Sequence, residues 1–153
     1  MKSRLIFITL VLMAILVSSC NKRKVKKQAE ADEITITNYL EENNIPASST
    51  ESGLYYIIDS TTTGSFPTAT SSVTAYYKGY YVSGDVFDQS PGSGTNFSLQ
   101  SVIPGWTEGL QLFPEGSKGR LFIPSHLGYG LKDYGDIPGG SVLIFDVQLL
   151  DVL

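Results

Sequence analysis

A shortage of cysteine and histidine excludes several kinds of chemistry from this chain. Cys20 is the only cysteine and His126 the only histidine, so no intramolecular disulfide can form, and neither a Cys pair nor a second histidine is available for a zinc site. A Ser-His-Asp hydrolase would have to use His126, and the Gly-x-Ser-x-Gly turn that presents such a serine is absent. These absences favour a function without a metal, a cofactor or a covalent nucleophile.

Basic residues are scarce in the last hundred or so residues, from Ser52 onward. They are Lys78, Lys118, Arg120 and Lys132. Acidic residues outnumber them, and because nucleic-acid binding depends on basic contacts to phosphate, we expect no nucleic-acid partner. Gly92-Ser93-Gly94 lacks the lysine and the helix that follow a phosphate-binding loop, so we interpret it as a plain flexible loop.

The chain begins with the features of a secretory signal. Two basic residues precede an apolar run from Leu5 to Val17, which is shorter than a membrane span. The run ends in Val17-Ser18-Ser19-Cys20, and a lone cysteine after small residues resembles the lipobox of bacterial lipoproteins. The resemblance implies a signal peptide over residues 1–19, removed so that a diacylated Cys20 becomes the N-terminus. The alternative is an ordinary signal peptide with an incidental cysteine.

Residues 20–51 are predicted as a basic tether followed by a leader helix. The run Asn21–Lys27 either contacts anionic lipid headgroups or is a solvated linker. From Gln28 to Asn43 apolar residues recur at helical spacing among acidic ones. The stripe consists of Ile36, Tyr39 and Leu40. The sequence leaves open whether this helix packs on the rest of the protein or holds it away from the membrane.

Residues 52–153 are predicted as one domain built mostly of strands. The predicted strands are Leu54–Ile58, Val73–Val82, Val86–Asp88, Phe97–Leu99, Gly119–Pro124 and Val142–Leu150. One short helix, Gly105–Leu112, follows Pro104 and carries the only tryptophan, Trp106. Strands in series with one helix, without β-α-β alternation, predict an α+β fold in which an antiparallel sheet wraps around that helix. The last strand is apolar almost throughout, so we expect it to be central.

Five short blocks follow one another along this domain. They are Val73-x-Ala75-x-Tyr77-x-Gly79, Gly84-x-x-Phe87-Asp88-Gln89-Ser90, Val102-Ile103-Pro104-Gly105-Trp106-x-Glu108-Gly109-Leu110, Ile123-Pro124-x-x-Leu127-x-Tyr129-Gly130, and Ile137-Pro138 with Leu143-Ile144-Phe145-Asp146-Val147. In this order they resemble the FKBP-type peptidyl-prolyl cis–trans isomerases. The resemblance covers the whole domain and implies an FKBP-like fold with rotamase activity.

The resemblance also implies roles for individual residues. Trp106 would form the floor of a proline-binding pocket, and Asp88 would orient the substrate near the twisting imide. The Tyr129 hydroxyl and the Ile103 N–H would hold substrate carbonyls. The walls would come from Tyr77, Phe87, Val102, Ile103 and Phe145, with further substrate contacts from Phe97, Ile137 and Tyr134. Without the resemblance, Asp88 reads as a turn residue and Tyr129 equally well as a core tyrosine.

Three positions depart from the family pattern. Pro138 is followed by Gly139 rather than by a second proline, Tyr134 stands where relatives often have histidine, and Ser101 stands where glutamate is frequent. The loop between Phe87 and Trp106 is also a few residues short, which leaves the match of Phe97 open. We expect these departures to affect substrate preference more than the chemistry.

The resemblances together predict a membrane-anchored isomerase that assists the folding of extracytoplasmic proteins. Its partners would be proline-containing protein segments and, through Cys20, the membrane, on the periplasmic side. Asn21 after the cysteine favours the outer over the inner membrane, by resemblance to lipoprotein sorting rules. Two other functions stay open, namely a chaperone that holds proline-containing segments without turnover, and a structural lipoprotein of an envelope or motility assembly.

The anchor is tested by replacing the one thiol. We expect Cys20→Ala to abolish acylation and to release the protein from the membrane fraction, because two or three acyl chains hold a protein firmly and none remains. Membrane fractionation and intact-mass measurement check this. Equal membrane retention of the variant, together with a wild-type mass that shows no acyl chains, would contradict the lipoprotein prediction.

Overall fold

The computed structural model describes residues 2–153, with side chains from residue 22 onward. The predicted signal peptide of residues 1–19 and the lipidation site at Cys20 therefore lie outside the residues whose side chains are described. Within the residues searched, no helix combines the length and apolar character that crossing a membrane requires.

Two helices, seven strands and one short turn of 3₁₀ helix make up the described chain. In order they are α1 (Lys2–Glu42), β1 (Ser48–Ser49), β2 (Tyr55–Ser60), β3 (Ser72–Tyr80), β4 (Val86–Gln89), β5 (Thr95–Ser98), α2 (Pro104–Leu110), β6 (Lys118–Ile123), the 3₁₀ turn Ser125–Leu127, and β7 (Leu143–Val152). The six predicted strands and the short central helix are all present, with ends shifted by a few residues. The two-residue strand β1 was not predicted, because nothing in Ser48-Ser49 favours a strand.

All strands belong to one antiparallel sheet. Its order is β1-β2-β6-β7-β3-β4, and β5 also pairs with β3. Strand β7 lies between β6 and β3 and pairs with β3 from Val73–Val152 to Tyr80–Ile144. The predicted α+β architecture is confirmed, and β7 is central, as its almost uninterrupted apolar sequence predicts.

One face of the sheet packs against α2 and forms the main core. Alternate strand residues such as Val73, Ala75 and Leu121 are fully buried there, with Leu110 of α2. Gly105 lets the helix approach β6, since a Cβ at this position would lie 2.5 Å from Cγ2 of Ile123. Pro104 occupies the first turn of α2, where its missing N–H leaves no intrahelical bond unmade.

The opposite face of the sheet packs against α1. Ile36 and Leu40 are buried together with Phe122 and Ile144 from the two central strands, and the Tyr39 ring centroid lies 6.0 Å from that of Phe122. The leader helix thus packs on the sheet, which answers the question that the sequence left open. The domain boundary at residue 52 stays a prediction.

Helix α1 also begins earlier than the predicted start at Gln28. The basic run belongs to the helix, and its residues 22–27 are all exposed. Lysine, arginine, glutamine and alanine all favour helix over coil, so nothing in this stretch ends the helix. The basic segment is therefore a helical extension rather than a loose tether.

The contribution of α1 to stability is tested at two isoleucines of that helix. Ile36 is 1% exposed and Ile34 is 60% exposed. We expect Ile36→Ala to lower the free energy of unfolding by about 2–5 kcal/mol, since it leaves a cavity against Phe122 and Ile144. Ile34→Ala, the matched control, should change it by about 0.5 kcal/mol or less. Denaturant unfolding of the full chain measures both, and equal losses would contradict the packing of α1.

Candidate functional site

A cavity of about 450 Å³ opens between the core face of the sheet and the start of α2. It is lined by Tyr77, Phe87, Asp88, Thr95, Phe97, Ser101, Val102, Ile103, Trp106, Tyr129, Tyr134 and Phe145. The structure thus brings together ten of the eleven predicted pocket residues, all except Ile137, and adds Thr95 and Ser101. In the described part of the chain, no three His, Cys, Asp or Glu side chains group as a metal site.

Trp106 forms the floor of this cavity and is 5% exposed. Three aromatic rings meet it edge-on. Their centroids lie 5.0 Å (Tyr77), 5.1 Å (Phe97) and 5.1 Å (Phe145) from its own. The indole N–H is buried without an acceptor among the described residues. Because no described hydrogen bond holds the indole, its orientation is fixed by packing against these rings.

The wall beside Trp106 depends on the absence of a side chain at Gly79. The rings of Phe87 and Phe145 meet edge to face, with centroids 5.5 Å apart. A Cβ on Gly79 would lie 2.7 Å from the Phe145 ring and 2.8 Å from the Phe87 ring. Glycine at this point of β3 therefore lets the two rings close the wall.

The one carboxylate that lines the cavity, Asp88, is paired with a tyrosine. The Tyr77 hydroxyl donates to Oδ2 of Asp88 over 2.9 Å. Burial, the hydrogen bond to Asp88 and the charge of Asp88 together raise the pKa of Tyr77 to about 12. Asp88 lies within β4 and accepts from Tyr77 rather than capping its own backbone, so it is not a turn residue.

Two hydrogen-bond donors at the cavity have no partner within the described chain. Burial, with the nearby Tyr134 and Asp88, raises the pKa of Tyr129, and no hydrogen bond contributes to that shift. The Ile103 N–H donates to no described acceptor, while the Ile103 carbonyl accepts from the first N–H groups of α2. Both donors are therefore available to a bound carbonyl oxygen.

The rim of the cavity is a stacked pair of tyrosines. The rings of Tyr129 and Tyr134 lie 4.5 Å apart and within 13° of parallel. Ile137 does not line the cavity. It exchanges two backbone hydrogen bonds with Tyr134, of 2.9 and 3.0 Å, and packs against the main core. Ile137 thus supports the rim residue instead of contacting the space itself.

Sequence reasoning missed three residues around the cavity. Thr95 and Ser101 line it, and the Tyr81 ring packs on Phe87 at 5.0 Å. The Tyr81 hydroxyl donates to the Asp136 carbonyl over 3.4 Å, which connects the wall to the rim loop. Thr95 and Ser101 carry no periodic signal, whereas Tyr81 lies four positions after Tyr77, a spacing that places both on the same face of a strand.

A protein-family model described as FKBP-type peptidyl-prolyl cis-trans isomerase matches residues 63–150. The chain is 42% identical over 137 residues to the FKBP-type peptidyl-prolyl cis-trans isomerase FkpA of Aeromonas hydrophila, covering 88% of this chain and 50% of that one. It is 43% identical over 120 residues to the FKBP-type 22 kDa isomerase of Escherichia coli, covering 75% and 58%. The chain thus spans about half the length of the curated relatives it matches.

Solved structures of proteins with such names are also similar to this chain. The crystal structure of FkpA from Escherichia coli has a TM-score of 0.72 and 36% identity, covering 94% of this chain and 70% of that one. The crystal structure of a peptidyl-prolyl cis-trans isomerase from Pseudomonas syringae has a TM-score of 0.70 and 33% identity, covering 80% and 94%.

The pairing of Tyr77 with Asp88 is tested by titration. The folded pKa of about 12 exceeds the ordinary 10.0, so the protonated tyrosine stabilises the fold below pH 10 and this stabilisation is lost as pH rises through 12. Tyrosinate absorbance, with Tyr77→Phe subtracted, measures the pKa. We expect Asp88→Asn to lower it but to leave it above the ordinary value, because burial is the largest cause. An unchanged pKa would contradict the pairing.

Proposed function

Because this chain belongs to the FKBP-type peptidyl-prolyl cis–trans isomerase family, we propose that it catalyses rotation about X–Pro bonds. That rotation has a barrier of about 18–20 kcal/mol and takes tens to hundreds of seconds uncatalysed. The observation that carries the proposal is an apolar cavity floored by Trp106, with the Tyr129 hydroxyl and the Ile103 N–H available at it. Prolines in partly folded protein segments are the substrates.

Desolvation of the imide supplies the first part of the catalysis. Amide resonance holds the bond planar and places partial negative charge on the carbonyl oxygen. Surrounding the imide with the rings of Trp106, Phe87 and Phe145 disfavours that charge-separated form relative to water. The twisted form, which has lost the resonance, is disfavoured less, so the barrier falls without a nucleophile or a cofactor.

Orientation of the substrate supplies the second part. The Ile103 N–H and the Tyr129 hydroxyl donate to carbonyl oxygens on either side of the proline ring, which fixes the flanking chain while the imide turns. Each neutral hydrogen bond contributes about 0.5–1.5 kcal/mol. The aromatic floor and walls of the cavity hold the ring.

Asp88 supplies a fixed charge beside the rotating bond. Its carboxylate is held by the Tyr77 hydroxyl at 2.9 Å, and Tyr77 packs edge-on against Trp106. As the imide twists, its nitrogen gains lone-pair character and the polarity of the bond changes. A carboxylate whose direction is preset by Tyr77 interacts differently with the planar and the twisted form.

We place this activity outside the cytoplasm, on a lipid anchor at Cys20. The signal-like run and the lipobox-like Val17-Ser18-Ser19-Cys20 support this. The basic residues among 22–27 are exposed on α1, and each contributes about 1 kcal/mol of attraction near an anionic bilayer surface. The clients are then proteins that fold near the periplasmic face of the outer membrane.

A chaperone that only holds proline-containing segments is the second candidate. The observation that favours it is the stacked rim, because Tyr134 is 63% exposed while its ring lies against Tyr129. An exposed aromatic platform beside an apolar cavity binds unfolded segments whether or not turnover follows.

A protease-free isomerisation assay on the full chain separates the two functions. We expect Tyr129→Phe to reduce kcat/KM by about two- to tenfold, the equivalent of one hydrogen bond. Tyr76→Phe is the matched control, since Tyr76 lies next to Tyr77 on β3 but does not line the cavity, and it should leave turnover unchanged.

Asp88→Leu completes this test, measured for turnover and for affinity toward a proline-containing peptide. We expect turnover to fall at least as much as in Tyr129→Phe while affinity is kept, because the carboxylate acts on the twisted form. Wild-type turnover equal to the uncatalysed rate, with peptide binding intact, would overturn the isomerase proposal in favour of the chaperone.

A further inference from the structure

Helix α1 carries a buried carboxylate on the face that it turns toward the sheet. Asp32 is 1% exposed. Its Oδ2 accepts from the backbone N–H of Ser125 over 2.8 Å and from the Ser125 hydroxyl over 2.6 Å, and its Oδ1 accepts from Nε2 of Gln28 over 2.8 Å. Three donors thus compensate the burial of the carboxylate, which lies 93 residues before Ser125 in the chain.

Ser125 transmits this contact to the residue that donates to the substrate. It opens the 3₁₀ turn Ser125–Leu127. Its carbonyl accepts from the N–H of Gly128 over 3.0 Å and from the N–H of Gly130 over 2.8 Å. These two residues flank Tyr129, so both ends of the peptide segment that carries Tyr129 are held by the one residue that Asp32 fixes.

A second branch closes the connection into a ring. The Gly130 carbonyl accepts from the N–H of Gly140 over 2.8 Å, and the Gly140 carbonyl accepts from Nε2 of Gln28 over 3.4 Å. The ring therefore runs Gln28, Asp32, Ser125, Gly130, Gly140 and back to Gln28. The chain between its last two glycines is the rim loop, which carries Tyr134 and Ile137.

We propose that Asp32, assisted by Gln28, is a positioning residue for the isomerase reaction. It acts through Ser125 on the Tyr129 hydroxyl and on the rim loop, so that α1 on one face of the sheet sets the geometry of the cavity on the other. This rests on the proposed function of the cavity.

The chemistry of the contact favours positioning over plain adhesion. Ile36, one turn further along α1, already attaches the helix to the sheet through apolar burial. Burying the Asp32 carboxylate on the same face of α1 costs desolvation, which a purely adhesive contact would not require. A fully hydrogen-bonded polar group also fixes the orientation of its partners, whereas apolar contacts leave that orientation free. By reciprocity, a substrate held by Tyr129 tightens the attachment of α1.

The test compares Asp32→Ala with Ile36→Ala in the full chain, at a temperature at which both are folded. Both remove a buried contact of α1, but only Asp32 belongs to the ring. We expect Asp32→Ala to lower kcat/KM by about three- to tenfold. Asp32→Asn should lower it less, because the amide oxygen of the asparagine still accepts from Ser125. Ile36→Ala should keep the wild-type kcat/KM. In the Tyr129→Phe background the loss from Asp32→Ala should shrink, since the hydroxyl it positions is gone.

Amide hydrogen exchange gives a readout that does not require activity. In Asp32→Ala the N–H groups of Gly128 and Gly130 should exchange faster relative to those of β7, whereas in Ile36→Ala the ratio should stay as in the wild type. Equal effects of the two variants on kcat/KM, or unchanged exchange at Gly128 and Gly130, would overturn the proposal. A wild type without turnover would overturn the proposed function instead, and exchange would still decide whether the ring holds the loop.

Discussion

The edge-to-face packing around Trp106 is the contact on which the rest of the cavity depends. Its three neighbours come from three different strands, Tyr77 from β3, Phe97 from β5 and Phe145 from β7. The four rings come from four different elements, so the arrangement exists only when the sheet has curved around α2. The cavity floor is therefore a property of the completed fold, and its rigidity follows from dense aromatic packing.

The two faces of the sheet are formed by alternate residues of the same strands. In β6 the side chain of Leu121 enters the core under α2, while the neighbouring Phe122 packs under α1. In β7 the side chain of Phe145 enters the core under α2, while the neighbouring Ile144 packs under α1. Because successive residues of a strand point to opposite faces, the residues that shape the cavity and those that seat the helix share one backbone.

Local sequence patterns predicted most of the fold but not the long-range polar contacts. The β-branched and aromatic runs gave the strands, and the spacing of Tyr77, Gly79, Phe87 and Asp88 gave the pocket through a family resemblance. The hydrogen-bonded ring through Asp32 and Ser125 could not be predicted from the sequence. An acidic residue in an amphipathic helix is ordinarily interpreted as solvent-exposed, and a serine after a strand as part of a turn. Ile137 was expected to line the cavity, but its backbone pairing with Tyr134 places it behind the rim. The contact between Asp32 and Ser125 joins residues 93 positions apart, and no short window of sequence contains that information.

The helical state of the basic segment has a consequence for how the cavity is delivered to its substrates. A flexible linker lets a domain sweep a volume around its anchor, whereas a helix advances about 1.5 Å per residue and holds a direction. Helix α1 is continuous through the basic residues and packs on the sheet at Ile36 and Leu40, so the basic segment keeps a fixed direction relative to the domain. For the lipid-anchored protein proposed above, this would keep the cavity mouth at a nearly fixed height over the membrane. Its effective concentration would then be high for chains at that height and low elsewhere.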